Sequence, residues 1–258
     1  MGFIYNGISS RDMGIRARLT NWQLSPSLHN SYVTVPGKAG VADFGCDSAE
    51  RNIVVKCGVL PQRGFSELVS VLDGVAEWLD PSRGLGELIL DDVPDRYFMA
   101  RLSDAVDCER LIRSAGRFDL KFVCPDPHAY ALTDESFVIT ETGSHEVKRT
   151  IGSAASEPVY SLKGEVPSGA SSYIMLITNG AELRVVGALA SGETLIIDSG
   201  KVTAKVVNAQ GETLRNGLPC LQELNFPILQ KGVNTVAVSV TGGAVLTELK
   251  IQAKSRWR

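Results

Sequence analysis

One stretch of this chain has a helical period, and the rest alternates or runs apolar in strand-length pieces. Phe65, Leu68, Val69, Leu72, Val75, Ala76 and Leu79 fall at i, i+3, i+4, i+7, i+10, i+11 and i+14. That is the one-sided stripe of an amphipathic helix. Asp80 precedes Pro81, and a residue before proline is pushed out of the α region, so the spacing predicts a helix from Phe65 to about Leu79. At about 100° per residue the stripe spans roughly 120°, and Val71 and Trp78 widen it to about half the circumference. Trp78 then has two readings. It enlarges the core of its own domain, or it faces a neighbouring subunit as a large aromatic anchor at the stripe's edge.

A hairpin follows the helix. Gly86 to Leu90 and Arg96 to Leu102 are joined by Asp91-Asp92-Val93-Pro94-Asp95, whose Asp and Pro residues favour a turn. Before the helix, Phe3 to Ile8 reads as a strand entering an Asn6-Gly7 turn. Met13 to Leu19 alternates, Tyr32 to Val35 is a β-branched run ended by Pro36-Gly37, and Arg51 to Leu60 is a further strand. Phe118, Leu120, Phe122 and Cys124 alternate with Arg117, Asp119, Lys121 and Val123, giving one buried and one largely polar face.

Two prolines, Pro125 and Pro127, break that strand, and the composition then changes. The first 130 residues hold 12 of the 17 aromatics. The expected domains are 1–135 and 136–258, with Gly143, Ser144, Gly152 and Ser153 in an exposed linker over about 131–155. The second half reads as eight short strands separated by glycine turns: Val159 to Val166, Tyr173 to Thr178, Glu182 to Gly187, Thr194 to Asp198, Lys201 to Val207, Leu221 to Leu229, Val233 to Val240 and Val245 to Gln252. This is the pattern of a β-sandwich or jelly roll.

Charge and motifs exclude several functions. The net charge is −3, carried by residues 1–130 with 14 Lys+Arg against 17 Asp+Glu, and neither half has a basic block. That argues against a dedicated binder of nucleic acid or of anionic membrane. The start lacks a signal-peptide pattern and no apolar run approaches the roughly 18 residues of a membrane span, so we expect synthesis in a cytoplasm and no membrane anchor. Five scattered cysteines without a C-x-x-C pair read as small buried hydrophobes. His29, His128 and His145 sit in loop-like contexts without metal-ligand spacing, and no nucleophile elbow or phosphate loop is present. Asp91, Asp92 and Asp95 read as turn residues. Neither an active site nor a cofactor is expected.

Several stretches taken in order resemble the distal tail protein family of long, non-contractile-tailed bacteriophages. They are Phe3 to Ile15, the glycine loop Val35 to Gly40, the helix Phe65 to Leu79, the acidic-proline-aromatic hairpin Asp91 to Ala100, Phe118 to Tyr130, and Leu224 to Leu229 with Gly232 to Thr235. The resemblance implies a mainly β chain: an N-terminal β-sandwich-like domain with one α-helix and a β-hairpin, and a C-terminal galectin-like sandwich. It implies a homo-hexameric ring in the virion, at the tail tip. The ring joins the tail tube protein to a tail-associated hub or fibre protein, with tape-measure protein inside and DNA passing through without specific binding. Val71, Trp78, Asp92 and Arg96 are the candidate interface residues. The competing reading is a carbohydrate-binding module recognising a host cell-wall glycan through the second half, and a polysaccharide hydrolase rests only on scattered carboxylates.

Overall fold

The computed structural model describes residues 1–112, 115–169 and 171–258, with 110–112 described by backbone alone. Two compact units divide the chain, Met1–Leu132 and Thr133–Trp257.

Unit 1 contains, in order, β1 (Phe3–Tyr5), β2 (Ile8–Ser9), β3 (Ile15–Leu19), β4 (Leu28–Val33), β5 (Ala42–Ser48), β6 (Arg51–Val59), α1 (Phe65–Trp78), β7 (Gly86–Leu90), β8 (Val93–Leu102), β9 (Glu109–Ile112), β10 (Ala115–Cys124) and β11 (Ala129–Ala131). Seven strands form one antiparallel path, β2-β1-β7-β8-β10-β6-β3. The alternation in β10 sets its two faces: Phe118, Leu120, Phe122 and Cys124 are buried, while Arg117, Asp119 and Lys121 are exposed. Phe3, Tyr5, Leu88, Phe98 and Ala100 complete the apolar side, and α1 packs there through Leu68, Val75 and Trp78, followed by Leu79.

The helix ends where the proline places it, with Leu79 as C-cap and the Asp80 carboxylate accepting the Ser82 amide at 2.9 Å to open the next turn. Its orientation differs from the expected one. Trp78, Val71, Val75, Leu68 and Leu79 occupy one side of the apolar arc and face the unit, whereas Phe65 is 47% and Val69 37% exposed and Ala76 lies open. Two ring contacts accompany this rotation of the arc. Trp78 lies flat on Phe3 and edge-on to Tyr5.

The hairpin turn is also tighter than the residue types suggest. Leu90 pairs with Val93, so only Asp91 and Asp92 turn, and Val93-Pro94-Asp95 belong to β8. Turn propensity at Pro94 and Asp95 yields to ladder pairing, which outweighs local preference once a partner strand is in place.

Unit 2 is a two-sheet sandwich of β12 (Ser136–Ile139), β13 (Gly143–Arg149), β14 (Val159–Glu165), β15 (Tyr173–Thr178), β16 (Ala181–Val185), β17 (Thr194–Asp198), β18 (Thr203–Val207), β19 (Thr213–Asn216), β20 (Leu221–Gln222), β21 (Gly232–Thr241) and β22 (Val245–Gln252). The sheets run β12-β22-β14-β17-β18-β19 and β13-β21-β15-β16-β20. Tyr160, Leu162, Leu176, Ile197, Val236 and Ile251 lie in the core they share. Asn179 and Gly180, with φ of 50° and 86°, make the two-residue turn between β15 and β16, the conformation that Asn-Gly accepts most readily.

Two strand expectations are corrected here. The segment 131–155 is not an open linker, because β12 pairs β22 and β13 pairs β21. The Glu135 carboxylate accepts the Thr150 and Ile151 amides, and Asp134 accepts those of Lys254 and Ser255, which fastens this part of the unit. Leu221 to Leu229 forms only the short β20, because Pro227 and a left-handed Glu223 (φ 57°) interrupt the ladder.

Candidate functional site

The described residues supply little chemistry. No group of three or more His, Cys, Asp or Glu residues among them could hold a metal ion. Asp91 pairs with Arg11 at 2.6 Å and Asp95 grips Arg96 through two 2.9 Å hydrogen bonds, so two of the three hairpin acids are engaged in ion pairs. All five cysteines are free, and burial pushes the Cys57 and Cys124 thiols up to about 12. His128 sits in a tight polar cluster with Asp126 and Tyr130. Burial would raise the Asp126 carboxyl, but hydrogen bonds from His128 and Tyr130 hold it down at about 2. Tyr130 in turn stacks on Tyr97 at 5.8 Å, so this cluster braces the exit from β10.

Two stretches of exposed apolar surface stand out on unit 1. The first is an arm, β4 and β5, which pair only with each other in a separate two-stranded sheet. Leu28, Tyr32, Val33, Val35, Val41 and Phe44 all stand exposed on it, Phe44 at 70%. A two-stranded ribbon is marginal in water by itself, and large contiguous apolar patches mark interaction sites. Its root is firmly held. The buried Arg51 guanidinium donates to Gln23 O at 2.7 Å and Pro127 O at 2.9 Å and lies over the Phe98 ring, against which Trp22 packs edge-on.

The second is the outer half of the helical arc. Phe65, Val69, Leu72 and Ala76 form a stripe beside an apolar groove of about 550 Å³. The groove lies between the C-terminal part of α1 and the segment 102–108, with Phe118 and Leu120 also lining it.

The four interface candidates are placed unequally. Trp78 is only 7% exposed and its indole N–H donates to Tyr5 O at 3.1 Å, so it packs inside its own unit. Val71 is half-buried and turns towards the loop at Gly14. Asp92 is exposed at the hairpin turn, and Arg96 lies beside Asp95 on β8. Of the arm, the sequence shows the end of β4 (Tyr32 to Val35) and the glycine loop but not β5, since Ala42 to Ser48, with Gly45 and two Asp residues, has weak strand character.

Unit 2 carries five aromatics, Phe137, Tyr160, Tyr173, Phe226 and Trp257, and none of them is fully exposed. The Tyr173 ring is covered by the Arg184 guanidinium at 4.8 Å. Tyr160 is buried and the other four rings are partly exposed. No helix among the described residues is long and apolar enough to cross a membrane.

Comparison with known proteins follows the same division. Residues 12–124 match the family model of the phage tail protein RIFT-related domain. Comparison with curated proteins returns no match. Among solved structures the chain is similar to SPP1 Dit (gp 19.1), described as a paradigm of the hub adsorption apparatus in phages infecting Gram-positive bacteria. The TM-score is 0.76 at 17% identity, over 100% of this chain and 99% of that one. It is similar, at TM-score 0.51 and 10% identity, to a chain of the phage p2 baseplate in its activated conformation, over 94% of this chain and 91% of that one. Residues 12–124 are thus similar to the phage tail protein RIFT-related domain, and the chain as a whole shares the fold of SPP1 Dit.

Proposed function

We propose that the chain is a structural adaptor at the tip of a siphophage tail. Six copies close a ring through unit 1, with unit 2, a galectin-like sandwich, carried on it. The ring joins the tail tube protein to a tail-associated hub or fibre protein, and the tape-measure protein and then DNA pass through it. The protein is made in the host cytoplasm and resides in the virion. It performs no catalysis. Asp92 and Arg96 at the β7–β8 end are candidate contacts of the assembly.

The observation that carries this reading is the apolar arm. Six large apolar side chains stand exposed on a ribbon that has no third strand, rooted by Arg51. Such a surface on a tail-family domain fits a permanent partner far better than free solvent. The glycan-binding alternative would have to rest on partly exposed aromatics of unit 2 such as Phe137 and Phe226.

Mass in solution tests the reading. Six chains of 27.7 kDa give about 166 kDa by light scattering or native mass spectrometry. A chain that remains monomeric across the micromolar range, alone and with tail tube protein, would refute the ring.

A further inference from the structure

We propose that the groove beside α1 is filled by the arm tip of a second copy of this chain. The proposal rests on the ring reading above and adds the contact through which one copy grips the next.

Shape and chemistry point from one surface to the other. The groove is lined by Leu72, Ala76, Leu79, Leu102 and Val106 among others, and no residue of the chain's own arm lines it. The tip, residues 33–41, presents Val33, Val35 and Val41, all exposed, around a tight turn. Gly37 and Gly40 both take the left-handed φ of 81° that the turn requires, and the Lys38 amide donates back to Val35 O at 3.1 Å. The tip is thus narrow, apolar and built to project.

Charge matches as well. Asp73 and Asp104 stand on the groove, and no cation lines it among the described residues. Lys38 is the single charged residue of the tip. Asp104 already receives Lys121 at 3.2 Å, but both side chains are 56% exposed, so that pair is weak and can share its carboxylate. Seating the tip places three valines on apolar wall and one cation between two carboxylates.

Tip and groove are different patches, so the contact is heterologous. Each copy then gives an arm to one neighbour and a groove to the other, and a constant rotation per copy closes such a chain into a ring. A twofold dimer would instead need one patch that complements itself.

The full-length chain tests this by light scattering, with circular dichroism as the check on folding. Ala76 is exposed, so Ala76→Arg blocks the groove without entering the core. The expected result is a native spectrum with the mass falling towards 27.7 kDa. Lys38→Glu should raise the concentration for half-assembly at least tenfold, and adding Asp73→Lys with Asp104→Lys should bring it back. Wild-type mass for Ala76→Arg, or unchanged assembly for Lys38→Glu, overturns this contact and leaves the ring standing. A wild-type chain that never assembles overturns the ring reading and this contact with it.

Discussion

The Trp78 indole lies flat on the Phe3 ring, with centroids 5.4 Å apart and planes 8° from parallel, and its N–H donates to the Tyr5 carbonyl. This ties the end of the helix to the first strand of the chain, which is otherwise a short three-residue strand on the sheet path. Trp78→Ala should destabilise unit 1 by about 3–5 kcal/mol, the usual cost of emptying a buried aromatic site. Trp78→Phe keeps most of the stacking and loses the hydrogen bond, so it should cost about 1 kcal/mol. Trp78→Glu would bury an unpaired charge and should leave unit 1 unfolded or insoluble. Urea denaturation followed by circular dichroism measures all three, and a folded Trp78→Glu chain would contradict the packing described.

Asp126 gives unit 1 an acid-sensitive clasp. Its carboxyl is held at about 2, below the roughly 3.9 of an unfolded chain, by hydrogen bonds from His128 and Tyr130 that overcome the cost of burial. Between those two values the unfolded chain binds more protons than the folded one, so stability falls as pH drops from about 4 to about 2 and is fully present above. Asp126→Asn removes the carboxylate at every pH. It should lower the melting temperature of unit 1 at pH 7 and flatten the dependence between pH 4 and 2. An unchanged acid slope in this variant would assign the sensitivity to other carboxylates. Glu193, held at about 2 by Arg215, is the comparable group in unit 2.

Much of the architecture was legible because it rests on periodicity. The alternation in β10 and the proline stop after Leu79 follow from local rules that nothing in the fold opposes. The helix face was only half legible. Its apolar arc spans both the buried and the exposed side, and the choice between them came from Phe3 and Tyr5, some sixty or more residues away. No window of local sequence holds that information. The second strand of the arm was missed for the opposite reason. This strand, β5, is poor in β-formers and gains its structure by pairing with β4. Likewise β13 hides behind His145, Glu146, Lys148 and Arg149, which read as linker until β21 gives them a ladder.

Duplex DNA should not bind the isolated protein. Residues 1–130 carry −3, so six copies in the proposed ring would sum to −18, and phosphate binding needs cations that displace counterions. Fluorescence anisotropy with a labelled duplex at physiological salt should show no saturation at micromolar protein. Sub-micromolar binding that weakens steeply with salt would contradict the proposed passive channel.

Trypsin should cut first at Lys38. The tip is exposed on a ribbon with no third strand, and exposed loop tips with small residues are preferred nicking sites. The segment 131–155 should resist, since Lys148 and Arg149 lie within β13 and Arg149 is fully buried. If the arm tip seats in a neighbouring copy, the site disappears on assembly. Cleavage after Lys38 should then be fast in the Ala76→Arg chain and slowed at least tenfold in the assembled wild type, read as the rate of loss of intact mass. Equal rates in the two chains would mean that the tip stays in solvent within the ring, and early cuts at Lys148 or Arg149 would mean that the β13–β21 ladder opens first.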